Sequence, residues 1–162
     1  MAILPIVQLG DPILRMPAIA VRRFDRVLGR LLDDLTETMR DAPGVGLAAN
    51  QVGRPERVAV IEVEERLIEL VNPAMLRMDG TQTELEGCLS VSGFYGPTTR
   101  ADHAVVKAWD RHGRAIKVAG RGLLARALQH ELDHLDGRLY LDHLASLDDL
   151  QRVDDDGELI DI

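Results

Sequence analysis

The segment QHELDHLDG, Gln129–Gly137, constrains this chain more than any other. It holds His130, Glu131 and His134 in the spacing H-E-x-x-H, inside a run where Leu124, Leu128, Leu132 and Leu135 supply apolar positions at helical spacing. The pattern predicts a helix over residues 120–136, with Gly137 as its C′ stop. On such a helix the two imidazoles project from one face. Whatever fold forms must bury the leucine stripe and still leave the histidine face usable. Two imidazoles four residues apart can hold one metal ion, with Glu131 beside them as a general base. The same spacing also suits a helix whose histidines only face solvent. Asp133 is available to orient a ligand histidine, or is a solvated carboxylate.

A catalytic metal usually takes three protein ligands. The candidates for the third are His103, His112, His143, Cys88 and the carboxylates. His112 sits in a hairpin turn, His103 in a polar run ahead of a strand, and His143 beyond the helix stop. Cys88 lies in LEGCLSV beside Gly87, a setting that also suits a small apolar residue.

The 162 residues make one ordinary domain. Apolar residues are 46% of the chain but aromatics only 3%, so the core must be built from Leu, Val, Ile and Ala. From Asp142 onward eight acids face one base, Arg152, so this segment carries −7 of the net −8 and residues 1–141 are close to neutral. That distribution argues against nucleic-acid binding. It divides the chain into a catalytic unit, 1–147, and an acidic, frayed tail, 148–162. With one cysteine no internal disulfide forms. The start, MAILPIVQLGD, does not read as a signal peptide, and no run approaches the roughly 20 apolar residues of a membrane span. A cytoplasmic, reducing setting is expected, with a monomer as the default.

Phe24, Val27, Leu28, Leu31, Leu32, Leu35 and Met39 predict a first helix from about Asp25, its N-cap, to Arg40. Strands are expected at 57–63 and 67–71 as a hairpin, with Asn72-Pro73 ending the run. Two further hairpins are expected: 74–78 with 81–85 about Asp79-Gly80, and 104–109 with 115–119 about Asp110–Gly113. The order implies an α+β fold, antiparallel strands packed around a C-terminal metal-binding helix, with one N-terminal helix. Between the first helix and the strands lies the Gly-rich loop APGVGLAANQVG, which lacks the third Gly and the Lys-Ser/Thr of phosphate cradles. Its glycines let backbone approach a ligand closely, and Gln51 offers an amide donor for an oxyanion.

Three segments in this order, GVGLAANQ (44–51), EGCLS (86–90) and QHELDH (129–134), resemble the signature motifs of the peptide deformylases. The resemblance covers roughly residues 5–145. It implies hydrolysis of the N-formyl group from the initiator methionine of newly synthesised polypeptides, releasing formate. By position it assigns Cys88, His130 and His134 to a divalent metal, Fe²⁺ first, with Zn²⁺, Ni²⁺ or Co²⁺ in preparations. It makes Glu131 the general base, and the Gln51 amide and Leu89 N–H the oxyanion donors. The Gly46 backbone would pair with substrate, and Gly44 and Val45 would line the methionine pocket. Arg126 and Ala127 fall where the family places part of that pocket's wall, although Arg126 also suits a surface site with only its stem packed. The chain departs from many members at Ser92, where they have Pro, and near Tyr95, where they carry a basic residue. The acidic tail is unlike the basic C-terminal helix with which some members dock on the ribosome. A zincin-type endopeptidase would use the same H-E-x-x-H but need a downstream ligand. A binding-only member would have lost Glu131, Gln51 or a metal ligand, and all are present.

Overall fold

A computed structural model describes residues 2–153 and 159–160. Helix α1 (Arg26–Asp41) starts at Asp25, whose carboxylate accepts the Leu28 N–H at 3.1 Å. Leu28, Leu31, Leu32, Leu35 and Met39 form its buried stripe. Phe24 and Val27 do not share it: both are exposed, Val27 by 65%, because they precede or flank the face that meets the sheet.

Strand β1 (Gly46–Ala48) pairs with β2 (Val58–Val63), and β2 with β3 (Arg66–Asp79). The hairpin expected there is present, but its turn is only Glu64 and Glu65, both at positive φ, because Arg66 already pairs with Val63. Alternation along β2 is what layers the domain. Val58 and Val60 face the α1 leucines, while Ile61 faces the other side. On that side Leu128 and Leu132 pack on Ile61, Ile68, Leu70, Val106 and Val118. They belong to helix α2 (Gly122–Leu135). The predicted start of α2 is two residues early, since Gly120 and Arg121 finish a strand. Its end is as expected: Gly137 has φ +77°, its N–H reaches His134 O and the Arg138 N–H reaches Asp133 O, a Schellman cap.

Two strand expectations fail for physical reasons. Asn72-Pro73 does not end the run. Asn72 takes φ +50° and the pairing of β3 with β6 (His103–Trp109) skips from Val71↔Trp109 to Ala74↔Lys107, a bulge that the strand passes through. The Asn72 amide holds it, accepting the Val21 N–H at 2.7 Å and donating to Val21 O at 2.9 Å. Asp79-Gly80 is a turn but not a hairpin. It passes the chain from the sheet that holds β1, β2, β3 and β6 in that order to a second one, where β4 (Gln82–Cys88) pairs with β5 (Val91–Arg100). The hairpin of β6 with β7 (Ala115–Arg121) about Asp110–Gly113 is present as expected.

Gln151–Val153 forms β8 on β5, and Leu159–Ile160 forms β9 on β8. The rest of the expected tail, 154–158 and 161–162, lies outside the described residues. The two helices and antiparallel sheets make an α+β fold. Among the described residues no helix is long and apolar enough to cross a membrane.

Replacing Asn72 with Ala removes two hydrogen bonds and puts a Cβ-bearing residue without local support in the left-handed region. We expect a loss of about 2 kcal/mol in urea unfolding, with Asn72→Gly losing less.

Candidate metal centre

Helix α2 puts His130 and His134 on one face, and the last residue of β4 brings Cys88 against them. The two Nε2 atoms are 3.1 Å apart and Cys88 Sγ is 3.2 Å from His134 Nε2. All three donor atoms lie within 4.8 Å of one another, and among the described residues no other His, Cys or carboxylate group converges in this way. The other histidines are elsewhere. His103 bonds Asp79, His112 is exposed in its turn, and His143 bonds Asp133 at 2.8 Å.

The group that orients His130 is Glu86, which sequence reasoning quoted in EGCLS but gave no role. One Glu86 oxygen meets His130 Nδ1. The same carboxylate accepts from Arg100 Nη2 at 2.7 Å and from Arg126. Glu86 is 5% exposed. Burial opposes its charge, but His130 and Arg100 together hold its carboxyl far below the usual range. Although burial disfavours a charge on it, Glu131, Cys88 and Glu86 hold the His130 pKa well above the usual histidine range. Serving as a ligand would require it to give up the Nε2 proton while Nδ1–H stays on Glu86. The available signal was parity: on a strand, Glu86 and Cys88 share a face. Asp133 does not orient a ligand histidine. It is tied to Arg100 Nη1 at 2.6 Å and to His143.

Arg126 is a wall residue and not a surface one. It is 6% exposed, and its guanidinium is spent on Glu86, Thr98 O and Gln82 Oε1. Its stem borders a cavity of about 420 Å³ lined also by Gly44, Val45, Leu89, Leu123 and Ala127. Gly46 borders the same cavity on β1, an outer strand of its sheet.

Glu131 is 3% exposed, and its Oε1 is buried with no hydrogen-bond partner. Burial, first, pushes its pKa up to about 7, with Glu86 adding and His130 and Arg100 opposing. Burial and the neighbouring His130 keep His134 well below the usual histidine range, so its Nε2 is available as a ligand. A Cβ on Gly46 would lie 2.5 Å from Glu131 Oε2, so only glycine lets strand β1 pass this carboxylate. Gln51 is 1% exposed. Its Oε1 accepts the Ala48 N–H at 3.0 Å, which leaves the amide Nε2 facing Ser90 Oγ (3.1 Å) and Cys88 Sγ (3.6 Å). Asn50, which sequence reasoning left without a role, donates to His134 O at 2.6 Å and braces α2. One soft sulfur, two imidazoles and an orphaned carboxylate oxygen beside them fit a divalent metal with one open position.

Comparison with known proteins agrees with this geometry. The family model described as polypeptide deformylase matches residues 3–150. A peptide deformylase of Heliobacterium modesticaldum is 49% identical over 144 residues, 89% of this chain and 95% of the relative. The crystal structure of a peptide deformylase from Legionella pneumophila superposes with a TM-score of 0.87 at 44% identity, covering 90% of this chain and 88% of that one. A Met-Ala-Ser-bound peptide deformylase of Acinetobacter baumannii superposes at 0.85 with 31% identity, covering 88% and 99%. The chain therefore belongs to the polypeptide deformylases, a family of metal-dependent hydrolases, and carries a candidate metal site of Cys88, His130 and His134.

Proposed function

We propose that this protein removes the N-formyl group from N-formylmethionyl nascent polypeptides, releasing formate. The observation that carries this is the unpartnered, buried Glu131 oxygen beside the converged Cys88, His130 and His134 donors. Family membership supports the substrate, as does the relative whose structure holds Met-Ala-Ser. The machinery is contained within residues 1–147, works as a monomer in the cytoplasm, and needs no basic ribosome-docking helix.

Cys88, His130 and His134 would hold one Fe²⁺, with Zn²⁺, Ni²⁺ or Co²⁺ accepted by the same donors. When bound, the metal supplies the Lewis acidity that makes water a nucleophile near neutral pH. Its positive charge would also lower the Glu131 pKa and keep that carboxylate able to take a proton. Glu131 takes the proton of the attacking water and hands it to the departing amine nitrogen. The C–N bond of the formamide breaks, leaving formate and a free N-terminus. The Gln51 Nε2 donor and the Leu89 N–H meet the charge that develops on the formyl oxygen, each worth about 3 kcal/mol. Glycine at position 46 leaves the β1 edge free to pair with the substrate backbone. Gly44 and Val45 border the cavity that takes the methionine side chain, an unbranched apolar group suited to apolar walls.

Protein prepared without oxygen and loaded with Fe²⁺ should release formate from a short N-formylmethionyl peptide. Glu131→Gln should be slower by about 10²–10⁴. Cleavage of internal peptide bonds without formate would instead indicate an endopeptidase. Glu86→Gln keeps an acceptor for His130 but removes the charge that balances two arginines. Metal affinity should fall about 10–100-fold in a chelator competition. Unfolding should cost about 3–5 kcal/mol less in the same variant, because Arg100 and Arg126 lose their common partner.

A further inference from the structure

Gln8 lies outside all three motifs, yet its side chain reaches the turn that carries one of the two oxyanion donors. Residues 7–9 cross behind the site as a strap. The Val7 N–H donates to Gln51 O and the Leu9 N–H to Ser90 O, both at 2.8 Å. Between them Gln8 Nε2 donates to Leu89 O at 2.9 Å, and Gln8 Oε1 accepts the Ser92 N–H at 3.3 Å.

Leu89 and Ser90 form the two-residue turn between the paired Cys88 and Val91. Ser90 is fully buried and receives the Gln51 amide on its hydroxyl. The strap thus holds the turn by two carbonyls and one N–H. Among the described residues the Leu89 N–H itself has no acceptor, so it remains free for a ligand.

Resting on the deformylase reading above, we propose that Gln8 is a positioning residue whose two-ended amide clamps the Leu89–Ser92 turn and aims the Leu89 N–H. A donor helps only where the oxyanion forms, and a displacement of about 1 Å forfeits most of its effect. The clamp uses an N–H at position 92, which a proline would lack. Proline would instead fix φ near −65° and stiffen the turn covalently. Ser92 has no β4 partner in the register, so its N–H is free to serve Gln8. Clamp and proline are two ways to restrain one turn.

The test compares the metal-loaded wild type with Gln8→Ala, Gln8→Glu and the double variant Gln8→Ala with Ser92→Pro. Formate-release kinetics are read beside amide exchange at residues 89–92. Gln8→Ala should lower kcat about tenfold with KM within twofold, and speed exchange at Ser92 while the core is unchanged. Gln8→Glu should do the same to kcat, since a carboxylate keeps the acceptor for Ser92 but faces the Leu89 carbonyl without a proton to donate. The double variant should recover most of the lost kcat. A kcat for Gln8→Ala within twofold of an active wild type overturns the role of Gln8 alone. So does a loss of kcat with exchange accelerated throughout the fold, or a double variant no better than Gln8→Ala. No formate from the wild type overturns the deformylase reading itself. The exchange at Ser92 then still decides whether Gln8 holds the turn.

Discussion

One buried carboxylate joins the two halves of this molecule. Glu86 stands on the four-stranded sheet and contacts Arg100 on the neighbouring strand and Arg126 and His130 on α2, the helix that packs on the other sheet. Arg100 continues the link to Asp133 one turn further along α2. Taking these charges out of water is expensive, and buried ion pairs of this kind contribute little net stability. What they contribute is register. If α2 slid along its axis, two guanidiniums and a carboxylate would be left buried and unpaired. The spacing between Cys88 and the two histidines is therefore set by an ionic lock and not only by leucine packing, which tolerates small slides.

The same lock explains the electrostatics of the centre. Glu86, Asp133, Arg100 and Arg126 balance one another, so the network adds almost no net charge next to the site. Glu131 stands apart from it with one oxygen unpartnered. Folding leaves that group in want of a proton or a cation, which is the condition a general base beside a metal requires. Gly46 is part of the arrangement, since a side chain there would occupy the place of the Glu131 carboxylate.

Much of this was legible in the chain, and the failures share a cause. Both helices follow from leucine spacing, and the hairpin at Asp110–Gly113 from its turn residues, because those signals are local. Asp79-Gly80 shows the limit. The turn is real, but nothing local tells that the strands on either side belong to different sheets. Asn72-Pro73 reads as a terminator because its partner, the Val21 backbone, is fifty-one positions away. In the site, the third ligand was open among several residues until the resemblance in EGCLS selected Cys88, and it is the residue found beside the two histidines. Asp133 was left open between orienting a ligand histidine and being a solvated carboxylate, and Glu86 had no role. Contact across two sheets decides both.

Arg126 ties the cavity to the lock. Its head is bound to Glu86, Gln82 and Thr98, so only its methylene stem is left to face the space proposed for methionine. A charged residue can line an apolar cavity in this way because its charge is neutralised behind the wall. The consequence is that cavity shape and histidine orientation share one anchor. A shorter residue at 126 would enlarge the cavity and also remove one of the two donors on Glu86 Oε2, leaving Arg100 alone, through Nε and Nη2, to hold the carboxylate against His130. Side-chain selectivity and metal geometry cannot be tuned independently through this position. A change of selectivity without loss of metal must come from Val45, Leu123 or Ala127, whose side chains border the cavity without joining the ionic network.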